Sequence, residues 1–161
     1  MEISQQQINI FDCDMYMVES PDDLTNFSCG NEDLDEFFSQ DAYLYDKQLL
    51  GKTYYFETKD SHNIIGAFTV ANDSIKASLI SKAIRNKINR KIPNDKRTRS
   101  YPAVLIGRLG VSKDIIGGGI GSQIVDYVKK WFSQHNNKSG CRYVVVDAYN
   151  LPNVLSFYEK K

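Results

Sequence analysis

The chain has 161 residues, with 20 basic and 20 acidic side chains that leave a formal net charge of zero, and 42% of it is hydrophobic. That length suits one domain, spanning 1–161, that buries about two thirds of its unfolded surface without staples. No apolar run nears the ~18 residues of a membrane span, and Met1 to Gln7 lack the basic region and apolar core of a secretory signal. Cys13, Cys29 and Cys141 are too few and too scattered, even with His62 and His135, for a disulfide framework or a zinc site, so a reduced, cytoplasmic protein without structural metal is expected.

In chain order, Tyr16 to Glu19 reads as a first strand, ended by Ser20-Pro21-Asp22. Asn26 to Asn31 is a turn-rich entry to a helix, with Asn31 as N-cap and Glu32 and Asp33 suited to the first turn. Leu34, Phe37, Phe38, Tyr45 and Leu49 then keep a helical stripe. Lys52 to Thr58 and Ile64 to Ala71 are β-rich runs, and the polar turn Lys59 to Asn63 joins them as a hairpin. Ser78 to Ile92 reads as a helix with Ile80, Ile84 and Ile88 four apart, ended by Pro93 and followed by an exposed basic loop from Asn94 to Ser100. A buried strand covers Ala103 to Val111. A helix follows over Gly119 to Gln134, with Ile120, Ile124, Val128 and Trp131 on one face and Tyr127 and Phe132 beside them. Cys141 to Ala148 is a buried strand, and Pro152 to Tyr158 starts a last short helix.

Charge is uneven along this order. Lys82, Arg85, Lys87, Arg90, Lys91, Lys96, Arg97 and Arg99 fall in one short stretch, offset only by Asp95. Two readings stand: a solvated helix face with a basic loop, or a patch for a phosphate-rich partner such as RNA or the 3′-phosphate of a cofactor.

Ile116-Gly117-Gly118-Gly119-Ile120-Gly121-Ser122 sits between strand and helix. Such a junction leaves backbone N–H groups unpaired at the positive end of a helix, which suits an anion and above all a diphosphate. A Rossmann site wants G-x-G-x-x-G early in the fold and an acid about twenty residues on. Here the pattern is late and no such acid follows. A Walker loop wants Lys before Ser or Thr, and Ile120-Gly121-Ser122 lacks it. Glycines that merely permit close packing remain an alternative.

Arg108 to Ser122, read as a whole, resembles the acyl-CoA-binding motif of the GNAT acetyltransferases. Gly119 and Gly121 match the two fixed small positions, Gly117 and Gly118 fill variable ones, and Ile116 stands where the family usually has Gln or Arg. Downstream, Asp147-Ala148-Tyr149-Asn150 and Phe157-Tyr158-Glu159-Lys160 resemble the family's asparagine and its helix-borne tyrosine. The resemblance implies an α/β (α+β) GNAT fold: a mixed, mostly antiparallel sheet flanked by helices on both faces. The family's Gly-Phe and last strand do not follow Lys160-Lys161, so a C-terminally short domain lacking that strand is expected.

The resemblance also implies roles. Backbone groups near Leu109, Gly110 and Val111 would hold the thioester and pantetheine arm of acetyl-CoA, and those of Ile116, Gly117, Gly118, Gly119, Ile120, Gly121 and Ser122 its diphosphate. Asn150 would contact the pantetheine arm, with a plain helix N-cap as the competing reading. Tyr158 would protonate the leaving sulfur as general acid, with a packed aromatic beside Phe157 as its competing reading. Tyr101 to Ser112 holds no Asp or Glu to serve as the base that many such enzymes carry there. An amine of pKa near 8 needs less help than a lysine near 10.4, so the acceptor tilts towards an α-amine, with Glu57, His62 or a water chain as alternative bases.

Phe27-Ser28-Cys29-Gly30-Asn31 with Leu34, and Ile106-Gly107-Arg108-Leu109, carry a narrower resemblance to the acetyltransferase toxins of type II toxin–antitoxin modules, which acetylate the α-amine of aminoacyl-tRNA. Three functions stand open. The first is a general acetyl-CoA-dependent N-acetyltransferase acting on a primary amine by direct attack. The second is a toxin acting on aminoacyl-tRNA, with a small antitoxin as partner. The third is an inactive CoA-binding remnant. A homodimer is a further candidate assembly.

Overall fold

The computed structural model describes residues 7–115 and 118–147. Strands β1 (Cys13–Met17), β2 (Lys52–Thr58), β3 (Ile64–Lys76), β4 (Ser100–Val111) and β5 (Tyr143–Val146) form one sheet in the order β1-β2-β3-β4-β5. Every neighbouring pair is antiparallel except β4 and β5, which run parallel. The segment Ile65 to Val70 on β3 is buried without interruption, as a strand covered on both faces must be.

The two covers follow from sequence periodicity. Helix α4 (Ile120–Phe132) buries Ile120, Ile124 and Val128, one turn apart, against Phe56, Phe68, Val104 and Ile106. The opposite cover is α1 (Glu32–Glu36), a π-helical turn over Phe37–Asp41, and α2 (Ala42–Lys47), whose Phe37, Phe38 and Ala42 pack with Phe27 and Ala67. Ala67 and Phe68 are successive on β3, so the two clusters lie on opposite faces of the sheet. Asn31 caps α1 as expected: its side chain accepts from the Leu34 N–H at 3.1 Å. The β2–β3 hairpin also stands where expected, closed by Thr58 N–H to the Asn63 carbonyl at 3.0 Å.

Several boundaries differ from the sequence reading. The first strand is Cys13–Met17, not Tyr16 to Glu19, because the Asp23 carboxylate accepts from both the Glu19 and Ser20 N–H groups and makes that stretch a turn. Leu49 is not on the helical stripe; it is 87% exposed at φ 57°, beyond the end of α2. The helix expected over Ser78 to Ile92 is shortened to α3 (Lys82–Asn89), because β3 runs on to Lys76 opposite Ser100 and Ser81 caps the helix start. The buried strand expected over Cys141 to Ala148 is only Tyr143–Val146, and it is half-buried. The helix expected from Pro152 to Tyr158, and the question of a last strand, lie outside the described residues.

Candidate functional site

The site is built on one irregularity of β4. Thr69 pairs with Arg108 and Val70 with Ile106, so Gly107 is an extra residue, a β-bulge. Before it, Val104 and Ile106 face α4. After it, Leu109 and Val111 face α4, and the alternation has slipped by one. Without the bulge Arg108 would share the face of Val104 and Ile106. With it, the Arg108 guanidinium lies on the other face, 4.2 Å from the centre of the Phe37 ring and 5.7 Å from that of Tyr45.

The ladder between β4 and β5 ends beside the same bulge. Their parallel ladder runs from Ala103 opposite Tyr143 to Ile106 opposite Val146 and stops, while β4 continues to Val111. The Ser112 N–H donates to the Ile65 carbonyl at 2.9 Å, so by alternation the polar groups of Gly110 point to β3 while those of Leu109 and Val111 point to the open side. Of the three residues expected to hold the pantetheine arm, Leu109 and Val111 thus present their N–H and C=O groups to a gap with no strand in it among the described residues. Gly110 acts differently: a Cβ there would sit 3.1 Å from both Cys29 and Phe38.

Helix α4 is the next element after β4 and begins at Ile120. Gly119 is its N-cap at φ 81°, a left-handed conformation suited to glycine, and it supplies no side-chain cap hydrogen bond. Gln123 is the first N–H to reach a helix carbonyl, that of Gly119 at 3.1 Å. The N–H groups of Ile120 and Gly121 come before it, no acidic residue lies in the first turn, and Lys129 and Lys130 suit the far end of the dipole. Gly118 leads in through its N–H to the Ile115 carbonyl at 3.3 Å, and Ser122 completes the first turn. Ile116 and Gly117 lie outside the described residues, as do Asn150 and Tyr158.

A clamp fixes the floor beneath this edge. The Asp35 carboxylate accepts from the Cys29 N–H and the Ser28 hydroxyl, each at 2.7 Å, while the Lys113 N–H donates to the Ser28 carbonyl at 3.0 Å. Burial works to raise the Asp35 carboxyl, but the hydrogen bonds from Cys29, Ser28 and Gly30 outweigh it and hold it below its ordinary value. Burial pushes the Cys29 thiol up to about 11, so it stays protonated and is no nucleophile. The Phe27-Ser28-Cys29-Gly30-Asn31 motif therefore has a structural use: it ties α1 to the end of β4. The sequence does not single out Asp35, and it offers Gly107 only within the Ile106-Gly107-Arg108-Leu109 motif, though a glycine inside a strand pattern is the ordinary mark of a bulge.

Two other features lie apart from the junction. His62 Nδ1 is 2.8 Å from Glu57 Oε1 at the β2–β3 turn, with the imidazole largely exposed. A groove of about 680 Å³, lined by Leu50, Lys52, Val70, Trp131 and Cys141, opens at the C-terminal end of α4 and does not include the glycine junction. Among the described residues no helix is long and apolar enough to cross a membrane.

No protein-family model matches the chain. Solved structures do. A tyrosine-to-phenylalanine mutant of KacT aligns with a TM-score of 0.73 at 22% identity, over 92% of this chain and 85% of that one. AtaT complexed with acetyl-methionyl-tRNAfMet aligns with a TM-score of 0.73 at 18% identity, over the same shares. AtaTR bound with AcCoA aligns with a TM-score of 0.69 at 21% identity, over 93% and 84%. These neighbours are toxin acetyltransferases of the GNAT fold, and the chain shares that fold: a mixed, mostly antiparallel sheet with helices on both faces.

Proposed function

We propose that the chain is an acetyl-CoA-dependent N-acetyltransferase whose acceptor is the α-amine of aminoacyl-tRNA, the activity of a toxin held in check by a small antitoxin. The observation that carries the reading is the edge of β4 at Leu109 and Val111, unpaired among the described residues, together with a start of α4 that holds no acidic residue in its first turn. An extended strand edge suits the amide-bearing pantetheine arm, and a helix start without acidic residues suits a diphosphate. Bound there, acetyl-CoA would supply the activated acetyl thioester. The chain's own part is to orient it: Leu109 and Val111 along the arm, and the backbone from Gly119 to Ser122 at the diphosphate, with Gly118 shaping the turn that leads in. Ile116, Gly117 and Asn150 keep the roles the sequence resemblance gives them.

The acceptor follows from what β4 lacks. No carboxylate stands between Tyr101 and Ser112, and an α-amine of pKa near 8 is partly neutral at pH 7 without one. Glu57 and His62 pair with each other at the tip of the β2–β3 hairpin and not on β4, where many such enzymes carry the base. The likeness to AtaT, solved with acetyl-methionyl-tRNAfMet and with its antitoxin AtaR, supports this reading over acetylation of amines in general. Tyr158 is assigned the proton for the departing thiolate, its ordinary pKa of ~10 matching a thiol of similar acidity. Tyrosine-to-phenylalanine mutants of both KacT and AtaT are among the similar structures, which supports looking to a tyrosine.

The test is transfer of labelled acetyl from acetyl-CoA to charged tRNA, to deacylated tRNA and to a panel of small amines. Charged tRNA alone should be labelled well, and Tyr158→Phe should cut turnover while acetyl-CoA still binds. Preferred labelling of small amines would return the reading to a general acetyltransferase, and equal turnover in the variant would remove the general acid.

A further inference from the structure

We infer that Arg108 is the residue that selects the acceptor, taking a phosphate oxyanion of an RNA-borne substrate on the α1/α2 face of β4. This rests on the proposed acceptor class. Two backbone irregularities converge on the one side chain. The bulge at Gly107 turns Arg108 away from α4, and the ring beneath its guanidinium belongs to Phe37, the first residue of the π-helical turn. Bulges re-aim side chains beside active sites, and π-turns cluster at functional sites.

Among the described residues the guanidinium is placed but has no hydrogen-bonded or ionic partner. Arg108 is only half-buried. The ion pairs among the described residues are Lys52 with Asp46 and His62 with Glu57, and Arg108 joins neither. Phe37 and Tyr45 hold it by cation–π contact, which uses the face of the guanidinium and leaves its in-plane donors for an oxyanion.

The floor next to it is open. Leu105 on the same face is half-buried, and a Cβ at Gly107 would meet nothing within 4 Å. At the far end of that face Tyr101, in phase with Ala103 and Leu105, donates its hydroxyl to Asn89 Oδ1 of α3 at 2.6 Å. The face therefore runs from Arg108 to the basic helix that carries Lys82, Arg85 and Lys87. Arg85 Nε there is buried with no hydrogen-bond partner among the described residues. Cations stand at both ends of this face, which is covered at Tyr101 and Ala103 and half-buried at Leu105 and Arg108. That pairing fits a polyanion better than a compact amine, with Arg108 placing a phosphate beside the edge that Leu109 and Val111 offer to the thioester.

The test compares Arg108→Met, which keeps an apolar stem on Phe37 and Tyr45, with Arg108→Lys. The first readout is affinity for a fluorescently labelled single-stranded RNA ending in a 3′ adenosine. The second is kcat/KM with aminoacyl-tRNA against a neutral amino-acid amide. Loss of one charge-assisted contact predicts roughly 10-fold weaker RNA binding in Arg108→Met. The loss of kcat/KM should be at least as much larger for aminoacyl-tRNA than for the amide, and it should appear in KM. Arg108→Lys should fall between, and acetyl-CoA should shift the melting temperature of all three proteins alike. Equal losses on both acceptors would make Arg108 a packing residue and overturn the proposal. Unchanged RNA affinity would overturn it too, even if wild-type protein acetylates aminoacyl-tRNA. If RNA binding depends on Arg108 but aminoacyl-tRNA is not acetylated, the proposed reaction fails while the anion site stands.

Discussion

Replacing Asp35 by Asn tests how the end of β4 is held. The carboxylate accepts two 2.7 Å hydrogen bonds, from the Cys29 N–H and the Ser28 hydroxyl. Hydrogen bonds to a charged group contribute about 1.5–3 kcal/mol each. Asn keeps one acceptor oxygen, and the site is partly open to solvent, so the expected loss is about 2 kcal/mol. For a chain of this size that lowers Tm by roughly 4–8 °C. The pH dependence follows from the direction of the shift. The folded carboxyl is held below its unfolded value, so its stabilisation is complete above about pH 4 and is lost as pH falls through the folded value. Calorimetry of both proteins at several pH values between 3 and 7 should show the full Tm difference at pH 7 and 5 and a shrinking one below 4. An undiminished difference at pH 3, or none at pH 7, would refute the clamp.

Thr53 and Thr69 hydroxyls meet at 2.6 Å in the buried sheet. Thr53→Val alone should cost about 1–3 kcal/mol by stranding its partner, and the Thr53→Val/Thr69→Val double variant should recover most of it in urea unfolding. Gly119→Ala meets no atom within 4 Å but forces a side chain to φ 81°. It should therefore cost about 1–2 kcal/mol of stability through backbone strain alone. By tilting the peptides at the start of α4 it should also weaken acetyl-CoA binding by calorimetric titration; unchanged affinity would remove that helix start from the site.

Much of this was legible because the signals were local. Asn31 caps its helix with its own side chain, Lys52 to Thr58 carries the strand pattern to its true ends, and the glycines before α4 announce themselves. What escaped depends on partners distant in sequence. Gly107 becomes a bulge only because β3 fixes the register on both sides of it, and that slip decides which face Arg108 occupies. The π-helical turn at Phe37 keeps the expected apolar residues but shifts their phase, which no 3.6-residue pattern reports. Leu49 fitted the helical spacing, yet the chain had already turned at Gln48 towards β2. The basic stretch from Lys82 to Arg99 is ambiguous by composition, and the Tyr101–Asn89 hydrogen bond ties its helix to the Arg108 face.

Two places compete for the cosubstrate: the edge of β4 with the start of α4, and the groove of about 680 Å³ at the other end of that helix. Amide hydrogen exchange with and without acetyl-CoA separates them directly. Protection should rise at Leu109, Val111 and the residues from Gly119 to Ser122, with little change around Leu50, Trp131 and Cys141. Protection centred on the groove, with the β4 edge exchanging as before, would contradict the account.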